Sequence, residues 1–360
     1  MRKRALIWVT FLLSVVIIAG CSRSASAPTP TTNSDAPGRT NGERVTSAIT
    51  GAFAPLPEEA TPTDYQLAEE LITLGRMLYY EPRLSINGKI SCNSCHALDT
   101  YGVDGLPTSV GHDGRSGDRN APTVYNAALH IAQFWDGRAE DVEAQAQGPM
   151  TNAIEMGMPD GAYIEKTLRS IPAYQSLFAA AFPDDPAPIT YANAAQAIGA
   201  FERRLLTPSR FDRFLQGDTT QLNAQEQRGL ATFVSTGCVS CHAGVGLGGD
   251  LYRKLGLVQP YPTNDPGRFK VTGDERDQYV FKVPSLRNII KTGPYLHDGS
   301  IESLDEMVRL MARHQLGKEL TETDVADIIA FMDSLTGEIP TAYIAPPQLP
   351  PNGPKTSSAP

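Results

Sequence analysis

The sequence predicts a mainly α-helical protein arranged as two small domains with long irregular loops. Three observations carry this expectation. Capped amphipathic runs recur along the chain, no alternating run of comparable length marks a strand, and the motif Cys-x-x-Cys-His occurs once in each half. The first helix is expected from Thr63-x-x-Gln66 as a cap, with Leu67, Leu71, Leu74 and Leu78 as its apolar stripe and a stop near Pro82. Cys92-Asn93-Ser94-Cys95-His96 follows. A helix starting near Tyr191 leads to Thr207-Pro208-Ser209, where proline after an amphipathic run sets the boundary between the halves. In the second half Asn223-x-x-Glu226 opens a helix carrying Leu230 and Phe233, Gly237 closes it, and Cys238-Val239-Ser240-Cys241-His242 comes next. Ser303 with Glu306 caps a helix that bears Met307, Leu310, Met311 and His314, and a last helix runs from Glu322 to Leu335. The domains are therefore expected at 55–207 and 208–337, preceded by a tether over 21–54 and followed by a Pro-rich tail over 338–360. The C-terminal part is free to pack back on the first domain.

Four of the five cysteines lie in the repeated motif. Two thiols three residues apart can form thioethers to the vinyl groups of a haem, and the adjoining histidine reaches the iron on one face. Two covalently bound haem c groups are expected, held by Cys92, Cys95 and His96 and by Cys238, Cys241 and His242. The two domains are then cytochrome c-like, with haem supplying apolar contact that small helical domains lack. A zinc site using all four thiolates, or a redox dithiol, would use the cysteines but would not require a histidine twice at the same offset.

Arg2-Lys3-Arg4 precedes an uncharged apolar run from Ala5 to Gly20, the layout of an export signal over residues 1–20, so the mature protein is expected on the periplasmic side. Ile18-Ala19-Gly20-Cys21 resembles the lipobox of bacterial lipoproteins, which would make Cys21 a lipidated N-terminus and membrane anchor. An uncleaved anchor or an ordinary signal peptide with a stray cysteine is the alternative. Residues 22 to about 50, rich in Ser, Thr, Pro, Gly and Asn, cannot bury a core and suit a tether. Loss of residues 1–20, which hold three basic and no acidic side chains, takes the formal charge from −9 to −12. An acidic surface disfavours nucleic acid and suits a basic redox partner.

What holds the second axial position decides whether a haem carries electrons or reacts. Spacing leaves that position open among His112, His130, His297, His314 and the methionines. His112 lies in Gly111-His112-Asp113-Gly114-Arg115-Ser116-Gly117, where glycine permits movement on and off an iron, although an exposed loop histidine has the same surroundings. Met311 and His314 are three apart and share a helical face.

Several segments resemble the bacterial dihaem cytochrome c peroxidases. In the first half these are Tyr80-Glu81-Pro82-Arg83-Leu84-Ser85, Ser91 to His96, Gly111-His112, Arg119-Asn120-Ala121-Pro122-Thr123 and Gln133-Phe134-Trp135-Asp136-Gly137-Arg138. In the second they are Gly237 to His242, Phe281-Lys282-Val283-Pro284-Ser285-Leu286-Arg287-Asn288, Pro294-Tyr295-Leu296-His297-Asp298-Gly299 and Met311 to Gly317, so the likeness runs from about residue 55 to 337. The resemblance implies reduction of hydrogen peroxide with electrons from a small cytochrome c or copper protein. It implies that His242 and Met311 ligate a high-potential electron-accepting haem, and that His96 holds a peroxidatic haem whose distal side His112 occupies until reduction releases it. It also implies Glu155 as the distal acid-base group with Gln145 beside it, Trp135 between the haems, and His297 in the pocket of the second haem. Calcium would be bound by Asn120, Thr292 and Pro294, and related enzymes are often homodimers. A non-catalytic dihaem electron carrier is the alternative. The relative that matures a tryptophan-derived quinone uses an axial tyrosine, and Met311 argues against that chemistry here.

Overall fold

The computed structural model describes residues 51–353. The expected export signal, Cys21 and the expected tether up to residue 50 lie outside the described residues, as do 354–360. Nine helices of six residues or more are present among the described residues: α1 (Glu69–Tyr79), α2 (Val142–Thr151), α3 (Gly161–Arg169), α4 (Pro172–Ala181), α5 (Tyr191–Glu202), α6 (Arg210–Leu215), α7 (Ala224–Thr236), α8 (Leu304–Leu316) and α9 (Glu322–Asp333). The only sheet among those residues is a pair of three-residue strands, β1 (Tyr252–Lys254) antiparallel to β2 (Val280–Lys282), with Tyr252 opposite Lys282. None of these helices is long and apolar enough to cross a membrane.

Each half is built on one close helix crossing. In the first, α1 crosses α5 at Gly75, where an added Cβ would lie 1.8 Å from the carbonyl oxygen of Ala197. In the second, α7 crosses α9 at Gly229, where an added Cβ would lie 1.8 Å from the carbonyl oxygen of Asp327. Only a residue without a side chain lets two helix backbones come this close. Around the first crossing pack Leu74, Leu78, Tyr79, Ile198 and Phe201, and around the second Phe211, Leu230, Phe233, Ile328 and Phe331. Each such side chain contributes roughly 1.5–3 kcal/mol by leaving water.

The caps read from sequence in the second half form as expected. Asn223 accepts from the amides of Gln225 and Glu226, Gly237 closes α7 in the left-handed region at φ 102°, and Ser303 accepts from the Glu306 amide. The start of α1 differs. Thr63 caps nothing, because Ala68 N bonds to Gln66 O at 2.9 Å in a tight turn and the helix begins at Glu69, leaving Leu67 outside it. Glu69 and Glu70 then sit in the first turn, where the helix dipole favours negative charge.

The chain ends are exchanged between the halves. Phe53 is buried in the second core and its neighbour Ala54 donates to Gly244 O, so residues 51–54 are docked chain rather than tether. At the other end Ile344 enters the first core, Tyr343 stacks on Phe201 at 5.1 Å, and Tyr80 donates to Ile344 O. The first part of the Pro-rich tail is thus a strap across the first half.

The N-terminal strap is fixed by one buried ion pair. Arg287, fully buried, gives two hydrogen bonds of 2.9 Å to Asp212 and one to Val245 O, while Leu56 N donates to Asp212. Burial alone would favour the neutral acid. The hydrogen bonds and charge of Arg287, with the amides of Leu56 and Ser209, outweigh it and hold the Asp212 carboxyl below its ordinary value. A depressed folded-state pKa gives stability that is present above the unfolded value of about 4 and is lost as pH falls through the folded one. Removing the guanidinium leaves a buried carboxylate unpaired, so Arg287→Ala is expected to cost ~3–5 kcal/mol in denaturant unfolding at pH 7, with the difference shrinking in acid. Equal stability of the two proteins at pH 7 would remove this pair from the account of the fold.

Candidate active site

The two Cys-x-x-Cys-His segments sit on short helical turns directly beside the helix crossings. Ser91 and Ser94 cap the turn Cys92–Cys95, and His96 N closes on Cys92 O. In the second half Cys238–Ser240 forms a 3-10 turn straight after Gly237. All four thiols are free of disulfides. Burial pushes the Cys92 thiol far up and the Cys238 thiol up to about 11, so both are protonated thiols at neutral pH. The two motifs stay apart, and among the described residues no three His, Cys, Asp or Glu side chains converge as a metal-binding group. This disfavours a zinc site built from both pairs.

The histidines of the motifs are prepared as ligands. His242 Nδ1 lies 3.1 Å from Leu247 O, so it carries the proton and leaves the Nε2 lone pair for a metal. Burial takes the His242 pKa down to about 4, which keeps the ring neutral. Burial likewise lowers that of His96, whose carbonyl accepts from Tyr79 Oη at 2.7 Å and whose buried Nδ1 makes no hydrogen bond of standard geometry.

His242 opens into a largely apolar cavity of about 1700 Å³, its mouth included, bordered by Phe281, Met307, Val308, Met311 and Met332 and extending to Trp135 and His297. The cavity, the neutral imidazole and the thiols on its rim fit a haem. The fold also separates the two ligand candidates of α8. Met311 borders the cavity, whereas His314 turns away, with Nδ1 2.9 Å from Gln259 O and its ring edge-on to Tyr261. His297 stacks on Phe281 at 4.5 Å with Nε2 3.1 Å from Thr263 Oγ1, a wall position as expected.

In the first half His112 lies on a turn closed by the Val110–Ser116 bridge. Its amide donates to Glu155 O at 2.8 Å, its carbonyl accepts from Asn87 at 2.6 Å, and its Nε2 is 3.1 Å from Ala153 O. The ring rests on Gly157, at φ 70°, where an added Cβ would come within 2.4 Å of Nε2. His112 is therefore seated on the segment that carries Glu155. The carboxylate Oε1 of Glu155 accepts from Asn152 Nδ2 at 2.7 Å, and Asn152 Oδ1 in turn accepts from Ile154 N. Burial raises the Glu155 pKa, with Arg138 opposing, and its charge adds to the upward shift of the Cys92 and Cys95 thiols. Asn152 was missed from sequence. An asparagine two residues before an amide is a common turn, but its contact with Glu155 depends on how that turn closes. Gln145, half-buried on α2 seven residues before Asn152, makes no side-chain hydrogen bond and is not joined to Glu155.

Trp135 lies where the halves meet. Its Nε1 donates to Asn120 O at 3.0 Å, its carbonyl accepts from Lys282 N, and its ring is edge-on to His297 at 6.5 Å. An interface filler and an electron route require the same position. Asn120, Thr292 and Pro294 all border the cavity. Asn120 uses Nδ2 to donate to Leu106 O, and neither its Oδ1 nor the carbonyls of Thr292 and Pro294 accept a hydrogen bond. All three are neutral oxygen donors of the kind a hard cation such as calcium takes.

Two thiol pairs, each followed by a neutral buried histidine in a helical frame, define a dihaem protein of the c type. Known proteins agree. The description of the di-haem cytochrome c peroxidases matches residues 69–220. The cytochrome c551 peroxidase of Pseudomonas aeruginosa is 45% identical over 295 residues, 80% of this chain and 85% of that one. That of Nitrosomonas europaea is also 45% identical over 295 residues, 81% and 86% of the two chains. A solved MauG-like protein associated with microbial copper homeostasis superposes with a TM-score of 0.71 at 32% identity, covering 84% of this chain and 97% of its own. The chain belongs to the di-haem cytochrome c peroxidase family, whose members carry two haem c groups and act on peroxide.

Proposed function

We propose that this chain reduces hydrogen peroxide to water with two electrons from a small redox protein, a cytochrome c or a copper protein. The observation that carries the reading is the unequal surroundings of the two attachment sites. Met311 shares a largely apolar cavity with His242, whereas on the first half His112 is seated on Gly157, in the segment that carries Glu155. Bound haem supplies the redox chemistry, accepting electrons singly and delivering them to peroxide.

The chain's residues divide that work. Cys238, Cys241 and His242 would hold the electron-accepting group, with Met311 as a thioether ligand that favours the reduced form. Cys92, Cys95 and His96 would hold the peroxidatic group, with His112 closing its distal side in the resting oxidised protein. Glu155 would move a proton from the inner to the outer oxygen of peroxide. Burial supports that task by raising its pKa, and the Asn152 amide keeps its Oε1 in place. Gln145 would add a polar contact and Trp135 an electron route. Calcium at Asn120, Thr292 and Pro294, export with lipid anchoring at Cys21, and assembly as a homodimer complete the proposal. They rest on the sequence, and for calcium also on the oxygen donors that border the cavity.

Three substitutions test these roles. Glu155→Gln is expected to keep both haems and their spectra while lowering kcat by about 100-fold or more; unchanged turnover would remove Glu155 from the mechanism. Gly157→Ala puts a methyl group where the His112 ring rests, so in the half-reduced protein the haem that stays ferric is expected to remain low-spin and six-coordinate by electron paramagnetic resonance. A high-spin signal as strong as that of the parent would show that His112 leaves by another route. Trp135→Phe is expected to slow electron transfer between the haems in flash-reduction kinetics; an unchanged rate at normal stability reduces Trp135 to an interface filler.

A further inference from the structure

Lys282 is the one buried lysine among the described residues, and no carboxylate pairs with it. Its ammonium has a single polar neighbour, His130 Nδ1, at 3.4 Å. A charged lysine can only donate, so Nδ1 accepts and His130 must carry its proton on Nε2. That Nε2–H is buried and has no acceptor. The backbone holds the histidine there: Gly249, at φ 88°, lies so close that an added Cβ would come within 2.4 Å of the ring. Burial takes the Lys282 pKa down to about 8, and burial together with Lys282 takes that of His130 well below its ordinary value. An unpaired ammonium and an orphaned N–H side by side are costly to bury, and both costs fall if an anion with acceptor oxygens arrives.

Both side chains border the cavity that holds His242 and Met311. We propose that Lys282, with His130 beside it, binds a propionate carboxylate of the haem attached at Cys238 and Cys241. The inference rests on the haem reading of that site. His130 belongs to the first half of the chain and Lys282 to the second, whose amide donates to Trp135 O at 2.8 Å. The grip therefore spans the two halves, and the first half holds the cofactor of the second. A positive charge at the propionate favours the ferrous over the ferric state, so its loss lowers the reduction potential of that haem.

The test is a spectroelectrochemical titration of the haem-loaded full chain, with covalent haem counted independently by the pyridine haemochrome assay. Lys282→Gln is expected to move the ferric to ferrous ratio of the Met-ligated haem at least tenfold towards ferric at fixed potential, about 59 mV for one electron. The other haem should move less than threefold. Lys282→Arg should restore the ratio, and His130→Leu should give a smaller shift in the same direction. Two haems with an unmoved ratio in Lys282→Gln overturn the proposal and leave the haem reading intact. A parent chain with one covalent haem removes both. A shift that saturates with added chloride or phosphate and vanishes without them assigns the pair to a free anion and overturns the propionate. If Lys282→Gln does not accumulate with haem, His130→Leu decides, and an unmoved ratio there overturns the proposal.

Discussion

The two halves are joined at a buried hydroxyl that binds a side chain from each. Thr207 Oγ1 accepts from Asn126 Nδ2 at 2.9 Å and from Asn288 Nδ2 at 2.8 Å. Asn126 also accepts from Thr207 N, and Asn288 accepts from Gly337 N. Each asparagine is in the left-handed region, at φ 62° and 61°, and each donates its backbone amide to the chain leaving the later helix of its own half's crossing, α5 or α9, at Leu205 O and Leu335 O. Gly337 completes the joint by lying directly on Thr207, where a Cβ would come within 1.9 Å of the carbonyl oxygen. Both helix crossings thus report to one point, and the orientation of the two cofactor sites follows from it. The side chains of Thr207, Asn126 and Asn288 are all hydrogen-bonded, while the Thr336 hydroxyl beside them is buried without a partner.

From that joint the halves run in parallel. Gln133 bridges Ala139 and Tyr295 bridges Ile301, each closing a turn with a positive φ at its second residue, Phe134 or Leu296, and at its glycine, Gly137 or Gly299. Trp135 and His297 are the corresponding third residues, and they meet edge to face at the contact between halves. The repeated local fold has placed two different aromatic groups edge to face. The asymmetry of the protein is thus a matter of side chains on a repeated frame, and the repeated cysteine motif is its covalent part.

What the sequence made legible was local. Asn223 with Glu226, Ser303 with Glu306 and Gly237 act within a few residues of themselves, so the helices they bound could be read directly. The cysteine motifs were legible for the same reason. The start of α1 was misread because a turn from Gln66 to Ala68 competes with the Thr63 cap at equal range. Long-range features left no such signal. Nothing in the run from Gly51 to Ala54 marks Phe53 for the second core, and nothing in a Pro-rich tail marks Ile344 for the first. The glycines at 75 and 229 look like defects in amphipathic runs until the partner carbonyl is seen. Met311 and His314 were equivalent by spacing, and only the Gln259 carbonyl and the Tyr261 ring, far along the chain, turn the histidine away.

The same distinction accounts for how two sites on one frame can differ in mobility. Met311 is carried by a helix of 13 residues whose Val308 and Ala312 are buried, whose end is fixed by Gly317, and whose following Lys318 donates to Thr236 O at 2.7 Å. Moving the helix that carries its sulfur would cost packing against α9. His112 is carried by a turn that closes on itself through Gly111 N to Arg115 O and Gly117 N to Ser109 O, and that touches the rest of the molecule through a few hydrogen bonds to 153–155 and Asn87. Its ring could exchange one partner for another at the cost of side-chain contacts alone, each net hydrogen bond being worth about 1 kcal/mol. On the proposed assignment, the site that must stay closed is built on a helix and the site that must open is built on a glycine-rich turn. The contact of Trp135 with Lys282 and His297 lies between the two sites and offers a route for coupling them.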